Sequence, residues 1–210
     1  MDKNDRFVMV IKRNILFGDD YFQGFRYANI VDYKSRILEN YEWMERNSAE
    51  KNLQYKQPIG YSIIINPFSK QIFAYQRPST EEYSEKRLWG KWSWGIGGHI
   101  EKLDIVHSED PINASILREL NEEVGVKVKS SDLKLLGYVN DDTDEVGRVH
   151  FGLLYVVKVP KVIKPKDTEI KNGELKTIKE LEEICNSFEC VIEEWSKISL
   201  KPLKEYLEKI

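Results

Sequence analysis

Three carboxylates stand close together near the middle of the chain, at Glu119, Glu122 and Glu123. On an α-helix the positions i, i+3 and i+4 share one face, because each residue turns the helix by about 100°. Like charges at this spacing repel one another, so the face needs either a cation or open water beside it. Clustered oxygen ligands of this kind suit Mg²⁺ or Mn²⁺ better than zinc. Glutamates on one face are most often a solvated surface, so the flanking residues decide between a metal site and a charged exterior.

The ends of this stretch favour a helix from Pro111 to Val124. Proline fits a first helical position, because its missing N–H needs no partner there. Gly125 fits the residue that ends a helix in a left-handed conformation. Before the helix stands Gly97-Gly98, and glycine without a Cβ lets the backbone approach a ligand closely.

Two patterns inside the helix agree with this interpretation. Arg118 stands four residues before Glu122 and is spaced to pair with it. An apolar stripe beside the carboxylates can pack on a sheet, and it consists of Leu117, Leu120 and Val124.

The elements around this helix are strands followed by further helices. The predicted strands are Phe7–Ile11, Tyr61–Ile65, Gln71–Arg77, Trp92–Trp94, Leu133–Val139, Val149–Val159 and Leu175–Ile178. We predict helix over Ile30–Glu50 and again after Ile178, with a closing helix over Val191–Ile210 that is interrupted near Pro202. This order predicts an α/β fold, with a mixed sheet between layers of helices.

The stretch from Arg118 to Val126 resembles the second half of the Nudix signature. That signature is glycine, five residues, glutamate, seven residues, and then Arg-Glu-hydrophobic-x-Glu-Glu-x-Gly-hydrophobic. The chain matches the last part at every position, with Arg118-Glu119-Leu120-Asn121-Glu122-Glu123-Val124-Gly125-Val126. The resemblance implies the Nudix fold over roughly Tyr61 to Leu181.

The first half of the signature is altered. Asp110 stands where the pattern has glutamate, and Gly98 is placed as the leading glycine. Eleven residues separate the two instead of five, so the loop Glu101–Glu109 carries an insertion. Asp110 has a shorter side chain than glutamate and is placed to cap the helix N-terminus.

The chain also resembles a MutT-like group of predicted phosphoesterases with an extra N-terminal segment. The resemblance rests on Lys56–Tyr61 and on Gly95–Ile100, in which Ile96 replaces the usual proline. It implies an N-terminal extension over residues 1–58, packed on a Nudix hydrolase domain over residues 59–210.

The Nudix resemblance implies an activity and a role for each matching residue. Water attacks a phosphorus of a nucleoside diphosphate linked to some moiety X, in a reaction that depends on Mg²⁺ or Mn²⁺. By position, Glu122 and Glu123 are metal ligands, and Glu119 is either a further ligand or the base that activates water. The Gly97 carbonyl completes the cation site, and Arg118 orients the acidic cluster. The family does not use one fixed base, so that assignment stays open.

Residues outside the signature are candidates for contacts with the substrate. Glu169 lies in a predicted loop before the last strand, where a later acidic residue often completes a Nudix site. Arg77 ends a strand and leads towards the signature, which places it to meet a phosphate, and Gly98 is placed to contact substrate. The group of Trp89, Trp92 and Trp94 offers base stacking, although at least one of them is expected to pack in the core.

The remaining metal-ligating residue types form no pattern in the sequence. His99, His107 and His150 are scattered, and we expect each to be an ordinary loop or strand residue. Cys185 and Cys190 are interpreted as reduced thiols, because two cysteines make no disulfide framework.

Composition limits the partners of the protein. The 210 residues carry a net charge of −3 and a pI of about 5.8, without the basic excess of a protein that follows a long nucleic acid. No apolar run reaches the length of a membrane span, and the first residues lack the pattern of a secretion signal. We therefore expect a small diphosphate substrate, a cytoplasmic location and, by the habit of the family, a homodimer.

Two alternatives remain at this stage. A non-catalytic Nudix domain that senses a ligand tends to lose acidic signature residues, whereas this chain keeps Glu119, Glu122 and Glu123. An isopentenyl-diphosphate isomerase on the same fold needs a cysteine near the centre of the sheet. The cysteines of this chain come late, at Cys185 and Cys190, which disfavours that reaction.

Overall fold

A computed structural model describes residues 6–79, 88–106, 108–160, 163 and 170–210 of the chain. The chain divides into two compact units that interleave along the sequence. The first unit comprises Met1–Tyr61, Gly97–Ile116 and Leu135–Tyr155, and the second comprises Ser62–Ile96, Leu117–Lys134 and Val156–Ile210.

The described residues form strands and helices in the following order. The strands are β1 (Phe7–Lys12), β2 (Gly24–Tyr27), β3 (Glu42–Glu45), β4 (Tyr55–Asn66), β5 (Gln71–Gln76), β6 (Trp92–Ser93), β7 (Leu133–Asn140), β8 (His150–Lys158) and β9 (Lys171–Lys176). The helices are α1 (Arg13–Phe17), α2 (Tyr33–Asn40), α3 (Arg46–Ala49), α4 (Pro111–Val124), α5 (Glu145–Val149), α6 (Ile178–Asn186) and α7 (Glu194–Leu207). The α/β fold class predicted from the sequence is confirmed.

The first unit is built on strands in the order β2-β7-β8-β4-β1-β3. Residues before β4 supply β1, β2 and β3, so the N-terminal segment is part of this unit rather than a loose tail. Its pairing is antiparallel between β1 and β3, between β1 and β4, and between β2 and β7. The division into an extension over 1–58 and a domain over 59–210 stays a prediction.

An aromatic cluster fills the core of the first unit. Its rings meet mostly edge to face at centroid distances between 5.0 and 6.3 Å, and its members are Phe17, Phe22, Tyr33, Tyr138 and Phe151. All five side chains are buried. Phe17 and Phe22 of the aromatic-rich segment at 17–25 thus pack in this core.

The second unit is centred on β5. This strand pairs antiparallel with the end of β4, with β6 and with β9. Beside them, two serines of α7 accept hydrogen bonds from Trp94. The indole Nε1 of Trp94 donates to Ser199 Oγ at 2.9 Å, and the Trp94 amide donates to Ser196 Oγ at 3.2 Å. Trp94 is therefore a core residue, as expected for at least one of the three tryptophans.

Three predictions about elements are wrong. The predicted helix over Ile30–Glu50 is broken into α2, β3 and α3, because β3 pairs with β1 along Phe7–Val10. The closing helix is not interrupted at Pro202, which lies inside α7. The last strand is β9, several residues earlier than Leu175–Ile178.

In the described part of the chain, no helix is long and apolar enough to cross a membrane.

Candidate active site

Helix α4 has the bounds that the sequence predicts, and polar contacts fix its N-terminal end. Asp110 Oδ1 accepts from the amide of Asn113 at 3.0 Å, which is the contact of an N-cap side chain. Asp110 Oδ2 also lies 2.6 Å from Lys34 Nζ. The aspartate that replaces the glutamate of the signature thus caps the helix, as predicted.

The C-terminal end of α4 is closed by Gly125. Its φ of +64° lies in the left-handed region, where glycine pays no penalty for a Cβ. The amide of Gly125 donates to Asn121 O at 3.2 Å, and the amide of Val126 donates to Leu120 O at 2.9 Å. The helix therefore ends directly after the acidic residues, which keeps them in its last two turns.

Arg118 contacts two of the three carboxylates. Its Nη1 donates to Glu119 Oε1 at 2.6 Å and lies 3.4 Å from Glu122 Oε2. The predicted pair with Glu122 is present, but the contact with Glu119 is shorter. The guanidinium offsets the repulsion between these carboxylates and fixes their orientation.

The three carboxylates differ in their exposure to solvent. The Glu122 side chain is 56% exposed, the Glu119 side chain is 15% exposed and Glu123 is only 5% exposed. A solvated charged face explains Glu122 but not Glu123, since a buried carboxylate needs a compensating partner. In the described residues, the carboxylates of α4 do not bring three ligand atoms within 4.8 Å of one another.

Gly97 is required by the packing of the first unit. A Cβ at this position would lie 2.3 Å from the carbonyl oxygen of Gly60 in β4. The sequence suggested that Gly97-Gly98 lets the backbone approach a ligand; the structure shows that Gly97 lets it approach a neighbouring strand. Gly98 is partly buried in the same unit. Their roles as a metal-binding carbonyl and a substrate contact stay predictions.

Arg77 is buried and has an anionic partner within the second unit. Its Nε donates to Glu193 Oε1 at 3.0 Å, and its guanidinium lies 5.1 Å from the centroid of the Tyr75 ring. Glu193 Oε2 accepts from Ser93 Oγ at 3.0 Å. A contact between Arg77 and phosphate stays a prediction, and the pair with Glu193 gives this arginine a structural task as well.

Two residues considered in the sequence, Glu169 and His107, lie outside the described residues. The proposed role of Glu169 beside the substrate therefore stays a prediction.

Two of the histidines that are scattered in the sequence come together in the structure. His99 and His150 meet in the first unit, with their Nε2 atoms 3.2 Å apart, and Glu50 joins them. Burial lowers the pKa of His99 to about 4. Burial opposes ionisation of Glu50, but its hydrogen bonds with His150 and His99 outweigh that effect and hold its pKa well below the usual range. Sequence spacing gives no signal for this cluster, because its members come from distant segments.

Comparison with known proteins places the chain in a family. The NUDIX domain matches residues 56–187, which is more than half of the chain, so the protein belongs to the Nudix family. With the complete acidic half of the signature on α4, it is a Nudix hydrolase.

Two similar proteins share nearly the whole chain. Protein YmaB of Bacillus subtilis (strain 168) is 29% identical over 205 residues, which cover 95% of this chain and 89% of that protein. The crystal structure of Tm1382, a candidate Nudix hydrolase, is 28% identical and has a TM-score of 0.77, covering 97% of this chain and 100% of the other. The match with Tm1382 confirms the predicted Nudix fold.

A more distant structure shares the fold alone. The NUDIX domain of Shewanella oneidensis NrtR, solved in complex with ADP-ribose, is 13% identical with a TM-score of 0.53. The match covers 72% of this chain and 88% of the other.

The donor set on α4 fits a hard divalent cation. It consists of carboxylate oxygens at i, i+3 and i+4 with no imidazole or thiol in the motif, which is the chemistry that Mg²⁺ and Mn²⁺ prefer. One of the three glutamates, Glu123, is buried, as a side chain that faces a bound ion would be.

Proposed function

We propose that this Nudix hydrolase cleaves a diphosphate linkage in a nucleoside diphosphate derivative, with Mg²⁺ or Mn²⁺ held by the carboxylates of α4. The observation that carries the proposal is the buried Glu123 on the acidic face of a helix that matches the second half of the Nudix signature. Carboxylate oxygens on one helix face suit a hard divalent cation, and a diphosphate brings its metal to such a site.

The match to the Nudix signature suggests a role for each residue. Glu122 and Glu123 hold the cation, together with the Gly97 carbonyl. When bound, the cation neutralises phosphate charge and makes water a better nucleophile. Glu119 is a further ligand or takes the proton from water. Arg118 keeps Glu119 and Glu122 in position through the contacts at 2.6 and 3.4 Å.

Substrate contacts are assigned to residues outside the acidic face. We propose Gly98, Arg77 and Glu169 for this role. The products are a nucleoside monophosphate and the phosphorylated moiety X, formed when a water oxygen binds one phosphorus and the bridging oxygen leaves with the other. A cytoplasmic location and a homodimer belong to the same proposal, and light scattering of the purified protein tests the latter.

The experiment is a panel of nucleoside diphosphate derivatives, including ADP-ribose, incubated with the full chain and Mg²⁺. Turnover of at least one compound is expected, and its loss on adding EDTA. The double variant Glu122→Gln with Glu123→Gln should abolish turnover. A matched control is Glu183→Gln, which changes an exposed glutamate on another helix, α6, and should keep full activity.

Two outcomes would overturn parts of the proposal. Turnover that survives the double substitution would exclude the metal site on α4. Tight binding of a compound with no turnover of any would support the alternative of a ligand-sensing Nudix domain and exclude the hydrolytic reaction.

A further inference from the structure

A second group of metal-ligating side chains lies in the first unit, apart in sequence from the acidic residues of α4. Glu50 directly follows α3, His99 pairs with Ile59 through an isolated antiparallel bridge, and His150 begins β8. All three side chains are at least four-fifths buried. The fold thus brings two imidazoles and a carboxylate from distant segments to one place.

The distances between the three converging atoms match one face of a metal coordination shell. His99 Nε2 and His150 Nε2 are 3.2 Å apart, and they lie 3.4 and 3.5 Å from Glu50 Oε1. A tetrahedral zinc ion with bonds of about 2.0–2.1 Å separates its ligand atoms by about 3.3–3.4 Å. We propose that Glu50, His99 and His150 bind a zinc-class divalent ion, with a water molecule in the fourth position.

The orientation of His150 is that of a metal ligand. Its Nδ1 lies 2.7 Å from the carbonyl oxygen of Val146. Because a carbonyl only accepts, Nδ1 carries a proton, and in the neutral ring Nε2 then turns its lone pair towards the cluster. Zinc-ligating histidines usually have such a partner on the second nitrogen, which fixes both the tautomer and the ring.

The competing explanation is that hydrogen bonds alone, without a metal ion, hold these three side chains together. With both imidazoles neutral, His150 Nε2 and Glu50 Oε1 are acceptors that share the single Nε2–H of His99, whereas a protonated His150 would itself donate to Glu50. A cation instead satisfies all three atoms at once. The guanidinium of Arg46 is a further neighbour, with its Nε 3.9 Å from Glu50 Oε1, which is too long for a hydrogen bond.

The donor types select the ion. Two imidazole nitrogens and one carboxylate oxygen suit Zn²⁺ and the neighbouring transition metals, whereas Mg²⁺ prefers oxygen ligands and retains water. The site is therefore distinct in chemistry from the carboxylates of α4 and does not depend on the proposed hydrolysis. A bound ion would tie α3 and β8 to the backbone immediately after Gly97-Gly98.

The test is calorimetric titration of the untagged, EDTA-treated full chain with Zn²⁺ in a buffer that contains excess Mg²⁺. One zinc ion per chain is expected, with an affinity that excess Mg²⁺ does not abolish. Glu50→Gln and His99→Gln should each weaken binding by more than about 100-fold, since even outer-shell partners of zinc ligands contribute 10–100-fold. Co²⁺ should give the strong visible absorption of a four-coordinate site, and Glu50→Gln should remove it.

Two controls keep the result specific. The double variant Cys185→Ser with Cys190→Ser removes the thiols, and Glu122→Gln alters the acidic face of α4; both should bind zinc as the unaltered chain does. Circular dichroism of Glu50→Gln and His99→Gln checks that each variant is folded before titration. Absence of zinc binding by the unaltered chain, or equal binding by the folded Glu50→Gln and His99→Gln variants, would overturn the site and leave a proton-linked cluster.

Discussion

The difference between Glu122 and Glu123 shows how much a single position on a helix decides. They are neighbours in sequence, yet one is exposed to solvent and the other is buried. The exposed carboxylate loses little free energy when no partner is bound, whereas the buried one relies on its surroundings. We therefore expect the affinity for the cation to depend more on Glu123 than on Glu122.

Arg77 provides a prediction at the scale of single residues. Its side chain and that of Glu193 are both buried and paired at 3.0 Å. Arg77→Met should reduce the free energy of unfolding by about 3–5 kcal/mol, because it leaves Glu193 buried without its cation. Urea denaturation measures this change.

The matched control is an exposed ion pair in the same unit. Lys204 Nζ lies 2.7 Å from Glu182 Oε1, and both side chains are well exposed. Lys204→Met should leave the free energy of unfolding nearly unchanged, because exposed ion pairs contribute little to stability. An Arg77→Met variant with unchanged stability and a raised KM would show that Arg77 serves the substrate and not the fold.

At the scale of elements, α4 depends on the cap at Asp110. Asp110→Ala removes both the acceptor for the Asn113 amide and the partner of Lys34, so it should reduce the free energy of unfolding by about 1–2 kcal/mol. Asp110→Asn keeps an acceptor at the cap and should cost less. Thermal and urea denaturation of the two variants make the comparison, and equal losses would show that the ion pair with Lys34 outweighs the cap.

The sequence predicted α4 at both ends because its signals are local. Pro111 and Gly125 act on the backbone at their own positions, whatever the rest of the chain does. The segment Ile30–Glu50 lacks such signals, and pairing with β1 turned part of it into β3. Tertiary pairing overrides a moderate helical pattern, which a single sequence does not reveal.

The two candidate sites differ in the same way. The acidic face of α4 was predictable, because helical spacing alone places Glu119, Glu122 and Glu123 together. The cluster of Glu50, His99 and His150 was not, because only the fold brings together α3, the bridge at His99 and β8. Its ligands have no short spacing, so the sequence made the histidines look scattered.

At the scale of the whole molecule, buried charge links stability to pH. Asp142 Oδ2 lies 2.6 Å from Arg13 Nη2, and its Oδ1 accepts from the fully buried Lys56 Nζ at 2.7 Å. Burial opposes ionisation of Asp142, but the hydrogen bonds from Arg13 and Lys56 outweigh it and hold the pKa of Asp142 well below its usual range. Burial in turn lowers the pKa of Lys56 to about 8.

Because the pKa of Asp142 is lowered in the folded protein, acid is expected to reduce the free energy of unfolding. A carboxyl whose pKa falls on folding stabilises the protein at pH values above its ordinary pKa, and this contribution is lost as pH falls below about 5. Asp142→Asn should therefore reduce the free energy of unfolding most at pH 7 and by a smaller amount near pH 3, where the carboxyl of the unfolded chain is largely protonated. Urea denaturation at both pH values measures the difference.

A matched control for this pH effect is Asp19→Asn, at an exposed position. It should leave the pH dependence of stability close to that of the unaltered chain. If Asp142→Asn showed the same loss of stability at both pH values, ionisation of Asp142 would not contribute to the fold.

The most direct measurement for the proposed hydrolase is kcat/KM of Glu123→Gln at saturating Mg²⁺, on the best substrate of the panel. A metal site supplies several kcal/mol to such a reaction, so the loss should be at least about 100-fold. Glu183→Gln, measured alongside, should keep the activity of the unaltered chain. A folded Glu123→Gln variant that retains activity within a few-fold would contradict the assignment of the cation site to the acidic face of α4.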